Sequence, residues 1–221
     1  MAFGCATGCR RLTPAAVWPA SAPGPDQIRV REAAQVSDHQ EGRLSGSRSS
    51  QTRRAAWRTA TIYWIDDPAY MCSPASLSRL WVEPLSPIEI IEEQDRVVIR
   101  HEYMDIVRTI PFGMPAERVA AEPSVPGNSV AWYEGSTLVI DSVAFSPSYL
   151  STVRGTPQTS QLHTVERLTP NGDGAGFTVA VVYEDPTTFT VPWTSSLNYM
   201  ISPGGRGPLE YGCVLEDAGY E

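Results

Sequence analysis

The chain holds three histidines, His39, His101 and His163, and histidine is the side chain whose ordinary pKa lies closest to neutral pH. A histidine works as a general base when a carboxylate orients one ring nitrogen and a substrate proton lies within hydrogen-bond reach of the other. His101 sits in the run Arg96 to Tyr103. Strand alternation there puts Val97, Ile99, His101 and Tyr103 on one face, and Arg96, Val98, Arg100 and Glu102 on the other. His101 and Tyr103 therefore belong to the apolar side, either as polar fixtures of a ligand cavity or as a hydrogen-bonded core histidine and its neighbour. His163 shares a face with Val165 and Arg167, while Leu162, Thr164, Glu166 and Leu168 take the opposite one. His163 and Glu166 thus cannot pair along their own strand. An orienting acid must come from a neighbouring strand, and Asp141, Glu184 and Asp185 are the candidates.

For acid/base catalysis the candidate residues are His163, His101, Asp141 and Glu166, acting on an ester or lactone or in an isomerisation. For ligand binding they are Tyr103, Trp132, Arg167 and Trp193, because aromatic walls suit a flat or apolar molecule. The same residues also read as core packing and as cross-strand ion pairs at a rim. No Gly-x-Ser-x-Gly elbow, phosphate-loop pattern or dinucleotide fingerprint occurs, so no cofactor is expected. The two strand histidines and the carboxylates lack the compact spacing of a metal site, so no metal is expected either.

The elements that must position these groups are strands. Ile88 to Ile91 and Arg96 to Tyr103 read as a hairpin, and Ile106 to Ile110 as a third strand stopped by Pro111 and Gly113. Ser129 to Tyr133 and Thr137 to Phe145 form the clearest hairpin, with Gly135 in its turn. Leu162 to Leu168 pairs with Phe177 to Tyr183 across Asn171-Gly172-Asp173-Gly174, and one or two strands follow between Thr188 and Ile201. The Pro- and Gly-punctuated stretch from Met114 to Asn128 is a lid or end loop. The expectation is an all-β fold: an antiparallel meander of about eight strands, as a lipocalin-like barrel or half-barrel, with a β-sandwich as the alternative.

Charge divides the chain near residue 60. The whole carries 17 basic residues, all arginine, against 25 acidic ones, a net of -8. Nine of the arginines fall within residues 1–60, beside only Asp26, Glu32, Asp38 and Glu41. That segment is dominated by Ala, Ser, Arg, Gly and Pro, and it reads as a disordered basic arm or as a stretch foreign to the protein. Residues 61–221 read as a single all-β domain. The arm lacks the apolar core of a signal peptide and the interleaved aromatics of a nucleic-acid grip, so no nucleic-acid partner is expected. No apolar run is long enough to span a membrane. The expected partner is a small-molecule ligand, and the sequence leaves the oligomeric state open.

Several ordered strings carry a resemblance: Asp66-Asp67-Pro68 through Cys72-Ser73-Pro74, Gly127 through Trp132-Tyr133-Glu134-Gly135-Ser136-Thr137-Leu138-Val139-Ile140-Asp141, Leu162-His163-Thr164-Val165-Glu166-Arg167, Tyr183-Glu184-Asp185-Pro186 through Pro192-Trp193-Thr194, and Glu210-Tyr211-Gly212-Cys213. Over residues 64–216 the chain resembles a large group of uncharacterised bacterial proteins, often exported. The resemblance implies a periplasmic or secreted location and no particular activity. This chain departs from that pattern at Pro111-Phe112-Gly113-Met114-Pro115, at Ser136 and at Val214, where relatives carry other polar groups. Of the four cysteines, Cys5 and Cys9 lie in the arm, without partner ligands for a metal. Cys72 and Cys213 stand at the two ends of the resembling region. They are either a disulfide, in an oxidising compartment, or two buried thiols.

Overall fold

The computed structural model describes residues 28–32, 67–74, 76–83, 86–151, 156–202 and 207–214, with backbone alone at 28–32 and 151. Cys5, Cys9, His39 and most of the expected arm lie outside the described residues.

Among the described residues the fold is antiparallel β with one short helix. Three strands, β2 (Ile88–Glu92), β3 (Arg96–His101) and β4 (Val107–Pro111), form one meander. Five more, β5 (Asn128–Glu134), β6 (Thr137–Val143), β9 (His163–Pro170), β10 (Gly176–Glu184) and β11 (Trp193–Ile201), form a second. A small separate ladder joins β7 (Ser148–Ser151) to β8 (Thr156–Gln158). The remaining strand, β1 (Ile28–Glu32), pairs with β2 on one side and β11 on the other, giving the order β4-β3-β2-β1-β11-β10-β9-β6-β5.

β1 falls inside the basic arm expected at residues 1–60. Ile28-Arg29-Val30-Arg31-Glu32 alternates β-branched and charged side chains with no Gly or Pro, which suits a strand. The run is too short to stand out in its Pro- and Gly-rich surroundings.

The sheet curls without closing. Its terminal strands β4 and β5 share no ladder; they touch through an isolated bridge between Phe112 and Ala131, with the Gly113 N–H donating to the Ala131 carbonyl at 2.8 Å. β4 ends at Pro111, which has no N–H to extend a ladder. The half-barrel is therefore the form adopted, and the closed lipocalin-like barrel is corrected.

Inner and outer faces follow strict alternation. Val97, Ile99 and His101 on β3, Thr164, Glu166 and Leu168 on β9, and Phe177, Val179, Val181 and Tyr183 on β10 all point inward and are buried. Helix α1 (Leu77–Val82) starts at Ser76, whose hydroxyl accepts from the Arg79 N–H, as N-cap serines do. It buries Leu77, Leu80 and Trp81, the i, i+3, i+4 stripe of an amphipathic helix. The Tyr199 hydroxyl of β11 donates to the Trp81 carbonyl, tying the helix to the sheet.

The end segment is strapped down. Cys72 and Cys213 form a disulfide with Cα atoms 5.6 Å apart and a sequence separation of 141. Beside it the Asp105 carboxylate accepts from the Tyr211 and Gly212 N–H groups at 2.8 and 3.2 Å, and Glu102 accepts from Leu209 at 2.7 Å.

Candidate functional site

The inner face is apolar except for one layer. Glu166 on β9, fully buried, accepts from Arg108 Nη1 at 2.8 Å and Nη2 at 2.6 Å, and from the Trp81 indole N–H at 2.6 Å. Arg108 belongs to β4, at one end of the strand order, and Glu166 to the five-stranded part. Their pairing therefore spans the interior of the curl. An ion pair taken out of water is costly unless both members are fully matched, and here the carboxylate receives three donors. Arg108 Nη2 also approaches the Ser129 hydroxyl at 3.4 Å, and Ser129 in turn contacts the Ser142 hydroxyl at 2.7 Å.

A row of polar side chains runs beside this pair across four strands. Ser129 pairs with Ser142, Ser142 with Thr164, and Thr164 with Tyr183. Ser129 and Ser142 satisfy each other, but Thr164 Oγ1 and Arg108 Nε have no hydrogen-bond partner, and the Tyr183 and Ser195 hydroxyls have at most loose contacts, with each other and with Ser78. The Ser78 and Ser195 hydroxyls flank the Tyr183 oxygen closely enough to favour its ionised form slightly, yet burial dominates and pushes its pKa up to about 12. Tyr183 is thus a permanent O–H donor at any working pH. Burial, aided by the Arg108 charge, pushes His101 down to about 3, against a smaller opposing hydrogen bond with the Leu80 backbone. His101 is a neutral imidazole, packed edge-on against Trp81 at 5.3 Å.

Aromatic rings bound this layer. Trp193 stacks on Tyr183 at 4.5 Å and lies 6.1 Å from Phe189. Phe177 stacks on Tyr199 at 5.2 Å. Tyr103 is buried further along, under the Arg79 guanidinium at 5.3 Å and against Tyr211 at 5.5 Å.

The other histidine lies on the outer face. His163 Nε2 is 2.7 Å from Asp141 Oδ2, and Nδ1 is 3.2 Å from Glu184 Oε2. Two of the three candidate partners thus reach it. The third, Asp185, caps a turn instead, accepting from Thr159 Oγ1 at 2.8 Å and the Thr187 N–H at 3.0 Å. Partial burial works against a charged imidazole at His163, but the hydrogen bonds to Asp141 and Glu184 outweigh it and raise the pKa. Asp141 is also held by Arg118, from the loop after β4, through its side chain and its carbonyl. Both ring nitrogens of His163 face carboxylates, an arrangement that favours its charged form, and its side chain is 35% exposed.

The sequence-predicted residues therefore fall into three places. His101, Glu166 and Trp193 lie on the inner face around the polar layer, with Tyr103 farther along it. His163 and Asp141 meet on the outer face. Trp132 and Arg167 also lie outside, joined through Glu134, which accepts from the indole at 3.2 Å and from the guanidinium at 2.6 Å. Arg108, Trp81, Thr164 and Tyr183 complete the inner layer and were not foreseen as site residues. One signal was available: Arg108 shares the inward parity of Ile110 on β4, while the exposed side of that strand carries Val107.

No family model matches the chain, and no curated protein matches it. Among the described residues no group of three or more His, Cys, Asp or Glu side chains is arranged to hold a metal ion, and no helix is long and apolar enough to cross a membrane.

Proposed function

We propose that the protein binds an apolar or aromatic small molecule against the inner face of the half-barrel. The observation that carries this reading is the inner layer itself: buried hydroxyl and guanidinium atoms short of protein partners, beside the Tyr183–Trp193 stack. Buried polar groups left unpaired cost about 1–3 kcal/mol each, so several on one face point to a ligand that contacts them. Aromatic walls with a few convergent polar groups are the usual lining of small-molecule sites. Titration of the native protein with benzene, followed by tryptophan emission, tests this. Saturable change that Trp193→Leu weakens and Trp132→Phe leaves intact is expected; equal loss in both variants, or no saturation, would overturn it.

A second reading, a cofactor-independent acid/base enzyme acting on esters or lactones, has the 2.7 Å contact between His163 and Asp141 in its favour. It requires Glu184 to release Nδ1, since a ring engaged at both nitrogens has none left for a substrate proton. Ester and lactone turnover that disappears in His163→Ala and rises in Glu184→Gln is its signature. Equal turnover in wild type and His163→Ala would end it.

The resemblance to exported bacterial proteins extends the proposal to a periplasmic or secreted location, where a disulfide such as Cys72–Cys213 persists. Thiol counting on protein taken directly from the cell decides it: two free thiols are expected, and four would contradict it.

A further inference from the structure

We infer that Tyr183, Thr164 and Ser195 form a charge-neutral hydrogen-bonding subsite that takes the hydroxyl end of an uncharged aromatic molecule, a phenol or an aryl alcohol. The inference rests on the binding reading above and adds the polarity and charge of the ligand.

Three observations carry it. First, Tyr183 and Thr164 are directly opposite in the β9–β10 ladder, and Ser195 is opposite Val181 on the next strand. Directly opposite side chains on one face stand about 5 Å apart, so the hydroxyls of Thr164 and Tyr183 serve one small group together. Second, the layer's formal charges are already spent on each other. Glu166 has three donors and Arg108 faces it with both terminal nitrogens, so an anion would meet a cation already occupied and a like-charged carboxylate beside it. A cation would meet Arg108. An uncharged ligand alone avoids both penalties. Third, the hydroxyls of the subsite together offer both donors and acceptors: a protonated phenol and two aliphatic hydroxyls. A hydroxyl group on the ligand, which donates and accepts, uses this mixture; an ether or a nitrile uses half of it. The Trp193 ring stacked on Tyr183 supplies the flat surface beside the anchor.

Benzene, phenol and benzoate, titrated into the wild-type protein and into Tyr183→Phe and followed by amide chemical shifts, separate the outcomes. Phenol is expected to bind about 5- to 20-fold more tightly than benzene, the return on one or two hydrogen bonds. Benzoate is expected not to bind at the concentrations that saturate phenol. Tyr183→Phe should remove most of the advantage of phenol over benzene. Thr164→Val provides the same comparison should Tyr183→Phe fail to fold. That variant is also expected to raise the melting temperature, because it deletes an unpartnered buried hydroxyl. Equal affinity for benzene and phenol would overturn the polar subsite while leaving the binding reading standing. Tighter binding of benzoate would overturn the charge argument. Binding of none of the three removes both readings.

Discussion

Removal of one member of the Arg108–Glu166 pair tests how the half-barrel is held together. Glu166 is fully buried and accepts three hydrogen bonds, two of them from Arg108, itself buried. Arg108→Leu leaves that carboxylate with the Trp81 indole as its one donor, and Glu166→Leu strands the guanidinium in an apolar interior. Breaking a buried pair from one side costs about 3–5 kcal/mol. At roughly 2–4 °C per kcal/mol for a chain of this size, each single variant should melt about 6–20 °C lower. The double variant Arg108→Leu with Glu166→Leu removes both charges and leaves the Trp81 N–H unpaired, a loss of about 1–3 kcal/mol. It should therefore be more stable than either single variant. Urea unfolding of the four proteins, read by tryptophan emission, gives the cycle. Single-variant losses under about 1 kcal/mol, the level of solvent-exposed pairs, would refute the claim that the pair is sealed inside the curl.

Acid should weaken the fold through His101. Its folded pKa near 3 lies below the ordinary 6.5, so the unfolded chain takes up a proton first and stability falls between pH 6.5 and pH 3, by up to about 4–5 kcal/mol; His101→Leu should flatten that limb of the melting curve. His163 works in the opposite sense: its raised pKa gives stability that is present below pH 6.5 and is lost as pH rises through the raised value, so His163→Gln should remove that alkaline loss. Gly176→Ala should destabilise by about 3 kcal/mol, because a Cβ there would sit 1.9 Å from the Tyr199 carbonyl oxygen; a neutral result in thermal melts would contradict the close β10–β11 approach. Reduction of Cys72–Cys213 should cost up to about 4–5 kcal/mol, as the release of a long loop does, measured as the difference between urea midpoints with and without reductant.

The strands were largely legible because burial imposes a two-residue period on each of them. β5 with β6 and β9 with β10 appear in the sequence with their turns, Gly135 (φ +62) standing where the β5–β6 hairpin needs a left-handed residue. Burial on β9 likewise follows the predicted alternation, so Glu166 and His163 do lie on opposite faces. What resisted reading was non-local or short. Strand β1 is five residues long and gains its place by pairing with β2 and β11, far away in sequence. Helix α1 spans under two turns, too short for its period to stand out. The partners of His163 come from β6 and β10, whose adjacency to β9 is a fact of topology that no single strand contains. Arg108 was passed over because an arginine on a strand is ordinarily a surface residue. Only the curl that brings β4 opposite β9 makes it an interior cation.

The central claim, that ligand is held on the inner face, is tested most directly by the indole N–H resonances of the six tryptophans during titration with phenol. Trp81, bonded to Glu166, and Trp193, stacked on Tyr183, should shift together and saturate with a single dissociation constant, while Trp132 on the outer face stays in place. A saturating shift at Trp132 with Trp81 and Trp193 unmoved would place the ligand outside the half-barrel and contradict the account.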